Sequence, residues 1–206
     1  DKVQLRGYNH GSSNYVKEDD MRRSLLGWPL LGLISLALLA SLRGAYASHS
    51  WNGFHWARTS NPFTVSIIDN MSSDWDPFLG PASGDWTASS VLDMPIAPGT
   101  KGCKAQSGKI VACDGRFGFN GWLGLAQVWV SGEHIVQAVT KVNNSYFNTK
   151  TYNKPEAKRH VLCQELGHDL GLDHQSGVSC MNDVAGIFDP AYLSPNAHDY
   201  EQLESI

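Results

Sequence analysis

The chain has 206 residues, of which 42% are hydrophobic and 17% charged, with a formal net charge of −4. That is enough for one domain with a single core, and no segment gathers basic residues beyond Lys154, Lys158 and Arg159, which argues against a nucleic-acid partner. Residues 1–47 hold six Lys/Arg and four Asp/Glu, so the remainder carries ten basic and sixteen acidic side chains, a net charge of −6.

Residues 1–20 are polar and unpatterned and read as an upstream segment that is not translated. Met21-Arg22-Arg23, the apolar run of residues 25–42 and Ala45-Tyr46-Ala47 predict a signal peptide over residues 21–47, cut before Ser48. The run also reaches the roughly 18-residue minimum for a membrane span. An uncleaved anchor is therefore the competing reading, which Gly27, Pro29 and Gly32 weaken. Residues 48–206 form the expected mature domain: secreted, extracellular or in a periplasm or cell envelope, monomeric, with no stable membrane association.

Within that domain, residues 51–56 are Trp-rich and read as core, and residues 63–69 (FTVSIID) follow Asn61-Pro62 as a β-branched strand. Trp75, Leu79, Ala82 and Trp86 recur at helical spacing over residues 72–86. The Gly-rich stretch 98–121 reads as a long surface loop. Residues 122–130 and 134–142 flank Ser131-Gly132-Glu133 as a β-hairpin, whose edge is the expected seat for an extended peptide. A helix is predicted from a cap at Asn153, with Pro155 in its first turn, to Leu170, where Gly171 ends it. A last helix starts near Ala197, reaches the end of the chain without a stop signal, and is expected to pack against the turn around Met181.

Four cysteines, Cys103, Cys113, Cys163 and Cys180, allow three pairings in an exported chain. Cys103 with Cys113, closing a short loop, and Cys163 with Cys180, tying the long helix to the segment after it, are the preferred pairs. Asn70-Met71-Ser72 and Asn143-Asn144-Ser145 are glycosylation sequons. His160 is expected to be solvated or capping, and His49, His55 and His134 to be surface or hydrogen-bonded core residues.

The chemistry concentrates in residues 164–174 (QELGHDLGLDH). Residues four apart on a helix lie about 40° apart around the axis, so Gln164 and His168 share a face. Glu165 is displaced by about 100°, where it can reach a water on a metal without binding the metal. Gly171 lets the chain turn back and bring His174 to the same ion.

With the last two His positions of His-Glu-x-x-His-x-x-Gly-x-x-His in place, the segment resembles the metzincin metallopeptidases, and its Gly-Leu-Asp-His ending looks most like the matrixins. The resemblance covers residues 63–206 in element order, but motif identity only over residues 160–183. It implies a zincin-like α+β fold with one twisted mixed sheet, an active-site helix and a small irregular C-terminal subdomain. It also implies Zn²⁺ or another divalent ion on Gln164, His168 and His174, Glu165 as general base, Met181 in a Met-turn beneath the metal, and a peptide or protein substrate. Asp183 stands where astacins and serralysins carry Tyr. No matrixin-like pro-segment with a cysteine switch lies between the cut and the domain, so the enzyme is expected to be active on export or restrained by something else.

The departure is Gln164, whose carboxamide oxygen is a harder and weaker zinc donor than imidazole. The same substitution occurs in the gametolysin-like branch of metallopeptidases. Two outcomes are open: a working metalloendopeptidase with altered metal preference, or a catalytically inactive metzincin-like domain serving extracellular binding or adhesion.

Overall fold

The computed structural model describes residues 2–7, 49–183 and 186–206. The predicted signal peptide and its cleavage site lie outside these residues. In chain order the elements are β1 (Lys2–Gly7), β2 (His55–Trp56), β3 (Phe63–Thr64), β4 (Ile67–Asn70), α1 (Asp76–Thr87), β5 (Leu92–Asp93), β6 (Ile96–Pro98), β7 (Ile110–Gly115), β8 (Gly124–Ser131), β9 (His134–Asn143), α2 (Asn144–Phe147), α3 (Pro155–Asp169) and α4 (Ala197–Ser205). The main sheet runs β1-β8-β9-β7-β4-β6, with β2 beside β9. Every pairing in it is parallel except the β8–β9 hairpin. The fold is thus mixed α+β, and among the described residues the segment after α3 contains only a short 3-10 turn and α4.

The stretch expected to be a surface loop is corrected by β7, a central strand between β4 and β9. Ile110 and Ala112 pack toward the helices, while Val111 and Cys113 face the opposite side with Ile68 and Val139. A strand buried on both faces shows no alternation of polarity, so Ile-Val-Ala-Cys carried no period-2 signal. The Cys103–Cys113 disulfide holds the remaining loop over that second face. Residues 2–7, expected to be unpatterned, form the edge strand β1.

Helices α1 and α3 cover the first face. Trp75, Leu79 and Trp86 meet Val161, Leu162 and Leu166 in one core. Two indoles tie this core to α3 and its end: Trp86 Nε1 donates to the Cys163 carbonyl at 3.0 Å, and Trp56 Nε1 to the Asp169 carbonyl at 2.9 Å. The N-terminus of α3 is preset by Pro155, and its cap residue is Lys154 without a side-chain bond, rather than Asn153. α4 begins with a capping box built by Asn196 and Asp199. Asn143 caps α2 and is fully buried, so that sequon is closed to modification in the folded chain.

Gly171 ends the α3 region at φ 99°. A Cβ there would overlap the Phe54 carbonyl oxygen. Gly171→Ala combines a left-handed backbone with a backbone clash and is expected to cost about 2–4 kcal/mol, read as a lower urea midpoint with an unchanged m-value. An unaltered midpoint would show that the turn relaxes freely.

No helix among the described residues is long and apolar enough to cross a membrane. The second disulfide, Cys163–Cys180, ties α3 to the segment carrying Met181. Both preferred pairings are therefore formed, which fits an oxidising compartment.

Candidate metal centre

Helix α3 delivers Gln164, Glu165, His168 and Asp169 into the interior, and all four are fully buried. Burial of so many polar groups on one helix is costly unless each finds a partner. Neither the oxygen nor the nitrogen of the Gln164 carboxamide makes a hydrogen bond, and neither do the two Glu165 carboxylate oxygens.

His174 reaches His168 because the chain folds back at Gly171. The Leu172 amide donates to the Gly167 carbonyl at 3.1 Å, and Gly171 accepts at 3.0 Å from Trp51 of the incoming segment. His49 closes the same turn by accepting from the Asp173 amide. The result places His168 Nε2 3.0 Å from His174 Nε2.

Each imidazole is oriented from behind. Nδ1 of His168 faces the Leu172 carbonyl at 2.9 Å, and since a carbonyl can only accept, that nitrogen carries the proton. Nδ1 of His174 faces the Asp183 carboxylate at 3.5 Å and that of Asp173 at 3.9 Å, which favours a proton there too. In the neutral rings both Nε2 atoms then present lone pairs to one another. Two lone pairs at that separation repel unless a cation or proton lies between them, so the donor set fits a shared metal ion. Burial, with the nearby His174 charge, pushes His168 down to about 3. Burial likewise lowers His174, against the pull of Asp183 and Asp173.

Among the described residues, no three or more His, Cys, Asp or Glu side chains gather as a metal cage. The donors available here are two imidazoles and, one turn before His168 on the same helix, the Gln164 carboxamide. Glu165 is packed against the start of β8, so closely that a Cβ on Gly124 would overlap its carboxylate. Burial and the neighbouring Asp169 raise Glu165 well above the ordinary carboxylate range. Met181 is fully buried with its sulfur against Gly167, where a Cβ would overlap both it and the Trp86 ring. α4 packs on this segment as expected, with Ser179 Oγ donating to Asp199 at 2.5 Å.

Sequence reasoning missed two residues. Trp51 is not simply core: its ring stacks on His168, with centroids 5.1 Å apart and planes 16° apart. Burial works to raise Asp173, but the Trp51 indole, the His174 amide and the nearby His174 and His168 rings together hold that carboxyl below its usual range. Asp183 was notable only as a missing Tyr, yet it backs His174. His160 corrects a further expectation: it is buried, with Nδ1 donating to the Tyr192 carbonyl at 2.8 Å, and burial lowers its pKa.

Asp169 yields a pH test. Burial raises its pKa well above 3.8, with the Thr140 hydroxyl bond acting in the opposite sense. The folded chain therefore holds a proton that the unfolded chain has released, and stability falls as pH rises from about 4 toward the folded pKa. Relative to the parent, Asp169→Asn is expected to gain about 1.4 kcal/mol per pH unit across that window, measured by urea unfolding at pH 4, 5.5 and 7. Parallel stability curves would refute it.

No family model matches this chain, and a comparison with curated proteins finds no match.

Proposed function

We propose that this chain is a secreted, metal-dependent endopeptidase of the metzincin type. The observation that supports the reading is the pair of facing imidazole nitrogens at 3.0 Å, each backed by a proton acceptor, beside a helix turn whose buried Gln164 and Glu165 have four unsatisfied polar atoms. His168 and His174 would hold a divalent ion through Nε2, with Gln164 contributing its amide oxygen, and imidazole donors favour Zn²⁺. Such an ion supplies Lewis-acid polarisation of a carbonyl and a water of lowered pKa.

The chain's own groups do the rest. Glu165, buried and without a hydrogen bond, accepts a proton from the attacking water and returns it to the amine nitrogen as the peptide bond breaks. Its raised pKa makes the carboxylate a stronger base than an exposed one. Asp183 and the Leu172 carbonyl keep the two rings in the tautomer that presents Nε2. Trp51 covers one face of His168 and excludes water from it. Once residues 1–47 are removed, the outer edge of β8, paired with β1 here, would orient an extended substrate by backbone pairing.

Elemental analysis of the purified chain, paired with hydrolysis of labelled casein, tests this. Roughly one equivalent of zinc is expected, with hydrolysis lost on treatment with a chelator and restored by zinc. A metal-free chain without hydrolysis, even after zinc is added, overturns the peptidase and leaves the inactive binding domain.

A further inference from the structure

A further pair of imidazoles stands at the tip of the β8–β9 hairpin. The pairing of β2 with β9 sets His55 opposite His134, and registered neighbours on adjacent strands project from the same face of a sheet. Their ring centroids are 4.8 Å apart with planes at 85°, close to the 4.6 Å and 77° of His168 and His174. The His55 ring is oriented from behind, as the His168 ring is. Asn52 and Gly53, at φ 48° and 72°, form a tight turn closed by the Phe54 amide on the Trp51 carbonyl at 2.8 Å, and the Gly53 carbonyl faces His55 Nδ1 at 2.8 Å. That nitrogen therefore carries the proton, and in the neutral ring Nε2 presents a lone pair. His134 is exposed, so its ring can turn a nitrogen toward the same point. Another close pair, His49 and His198, with centroids 4.7 Å apart, lacks this freedom: His49 Nδ1 faces the Asp173 carbonyl at 3.0 Å and its Nε2 lies 3.6 Å from the Asp199 carboxylate.

We propose that His55 and His134 form a second metal site, which takes a divalent transition ion of the Ni²⁺, Cu²⁺ and Zn²⁺ group and completes its shell with water. Imidazole suits these ions, whereas Mg²⁺ and Ca²⁺ require oxygen donors. An ion held by both rings clasps the hairpin tip to β2, where the His55 amide already donates to the Glu133 carbonyl at 3.1 Å. The clasp also fixes the turn of residues 51–54. At the far end of that turn Trp51 stacks on His168, and the Phe54 carbonyl oxygen lies 2.0 Å from where a Cβ on Gly171 would stand. The site thus braces the segment that covers the candidate metal centre, and it stands whether or not His168 and His174 bind an ion themselves.

Ni²⁺ is the probe, titrated into the full disulfide-bonded chain and into its His134→Gln and His55→Gln variants. Paramagnetic broadening of the amide NMR signals of residues 54–56 and 133–135 reports the ion, with the β7 and α3 signals as the measure of an intact fold. In the parent these amides are expected to broaden at stoichiometric Ni²⁺. Either substitution is expected to raise the Ni²⁺ concentration needed for the same broadening by more than about 10-fold. A parallel sample with Zn²⁺, which is diamagnetic, is followed by hydrogen exchange: the His55 amide is expected to exchange about tenfold more slowly with zinc in the parent, and no more slowly in His134→Gln. No broadening in the parent, or broadening that persists equally in both variants, overturns the site. Broadening lost in the variants, without slower exchange of the His55 amide in the parent, keeps the site and overturns the clasp. Should His55→Gln disturb β7 or α3, His134→Gln decides, since that side chain is exposed.

Discussion

Glu165→Gln is expected to lower kcat for casein by about 10²- to 10⁴-fold while leaving zinc content and the fold in place. The carboxamide has nearly the shape of the carboxylate, so it still fits between α3 and Gly124, but it cannot take a proton from water. Stability should hold or rise, because the parent buries an ionisable group without a hydrogen bond and a neutral amide is less costly to desolvate. Retention of parental kcat in a folded, zinc-loaded variant would falsify Glu165 as the base.

His168→Ala and Gln164→His should move metal affinity in opposite directions. Even groups behind a ligand are worth about 10- to 100-fold in affinity or activity, so removing the His168 ring is expected to cost more than about 100-fold and leave the chain nearly free of zinc. The variant also loses the stack with Trp51, leaving a void in the buried helix face, so its melting temperature should fall with or without metal. Gln164→His replaces a weak oxygen donor with a third imidazole at helical spacing and is expected to tighten zinc by about 10- to 100-fold, measured by competition with a zinc-responsive dye. If the parent and Gln164→His bind zinc equally, residue 164 does not face the metal.

Several features were legible because their signals are local. The β8–β9 hairpin followed from two apolar runs around Gly132, and α3 from Pro155 at its start and Gly171 at its end. The spacing of Gln164, Glu165, His168 and His174 defined the candidate site because helix geometry and one glycine turn act over a few residues. Disulfide partners were readable because each preferred pair closes a short loop. β7 was missed for the opposite reason: a strand buried on both faces reads as a short apolar run among glycines, and its register depends on neighbours far along the chain.

By itself, then, the sequence determined the helix that presents the motif, the turn after it, the hairpin and the choice of polar groups. Only the tertiary structure decided that Trp51 covers His168, that Asp183 stands behind His174, that Glu165 is sealed against Gly124, and that β1 occupies the edge of β8. Trp51 meets His168 across more than a hundred residues, and β1 meets β8 across a similar separation. Such contacts are set by how sheet, helix and terminal segments stack, and a periodicity that spans one helix turn or one strand pair carries no record of them.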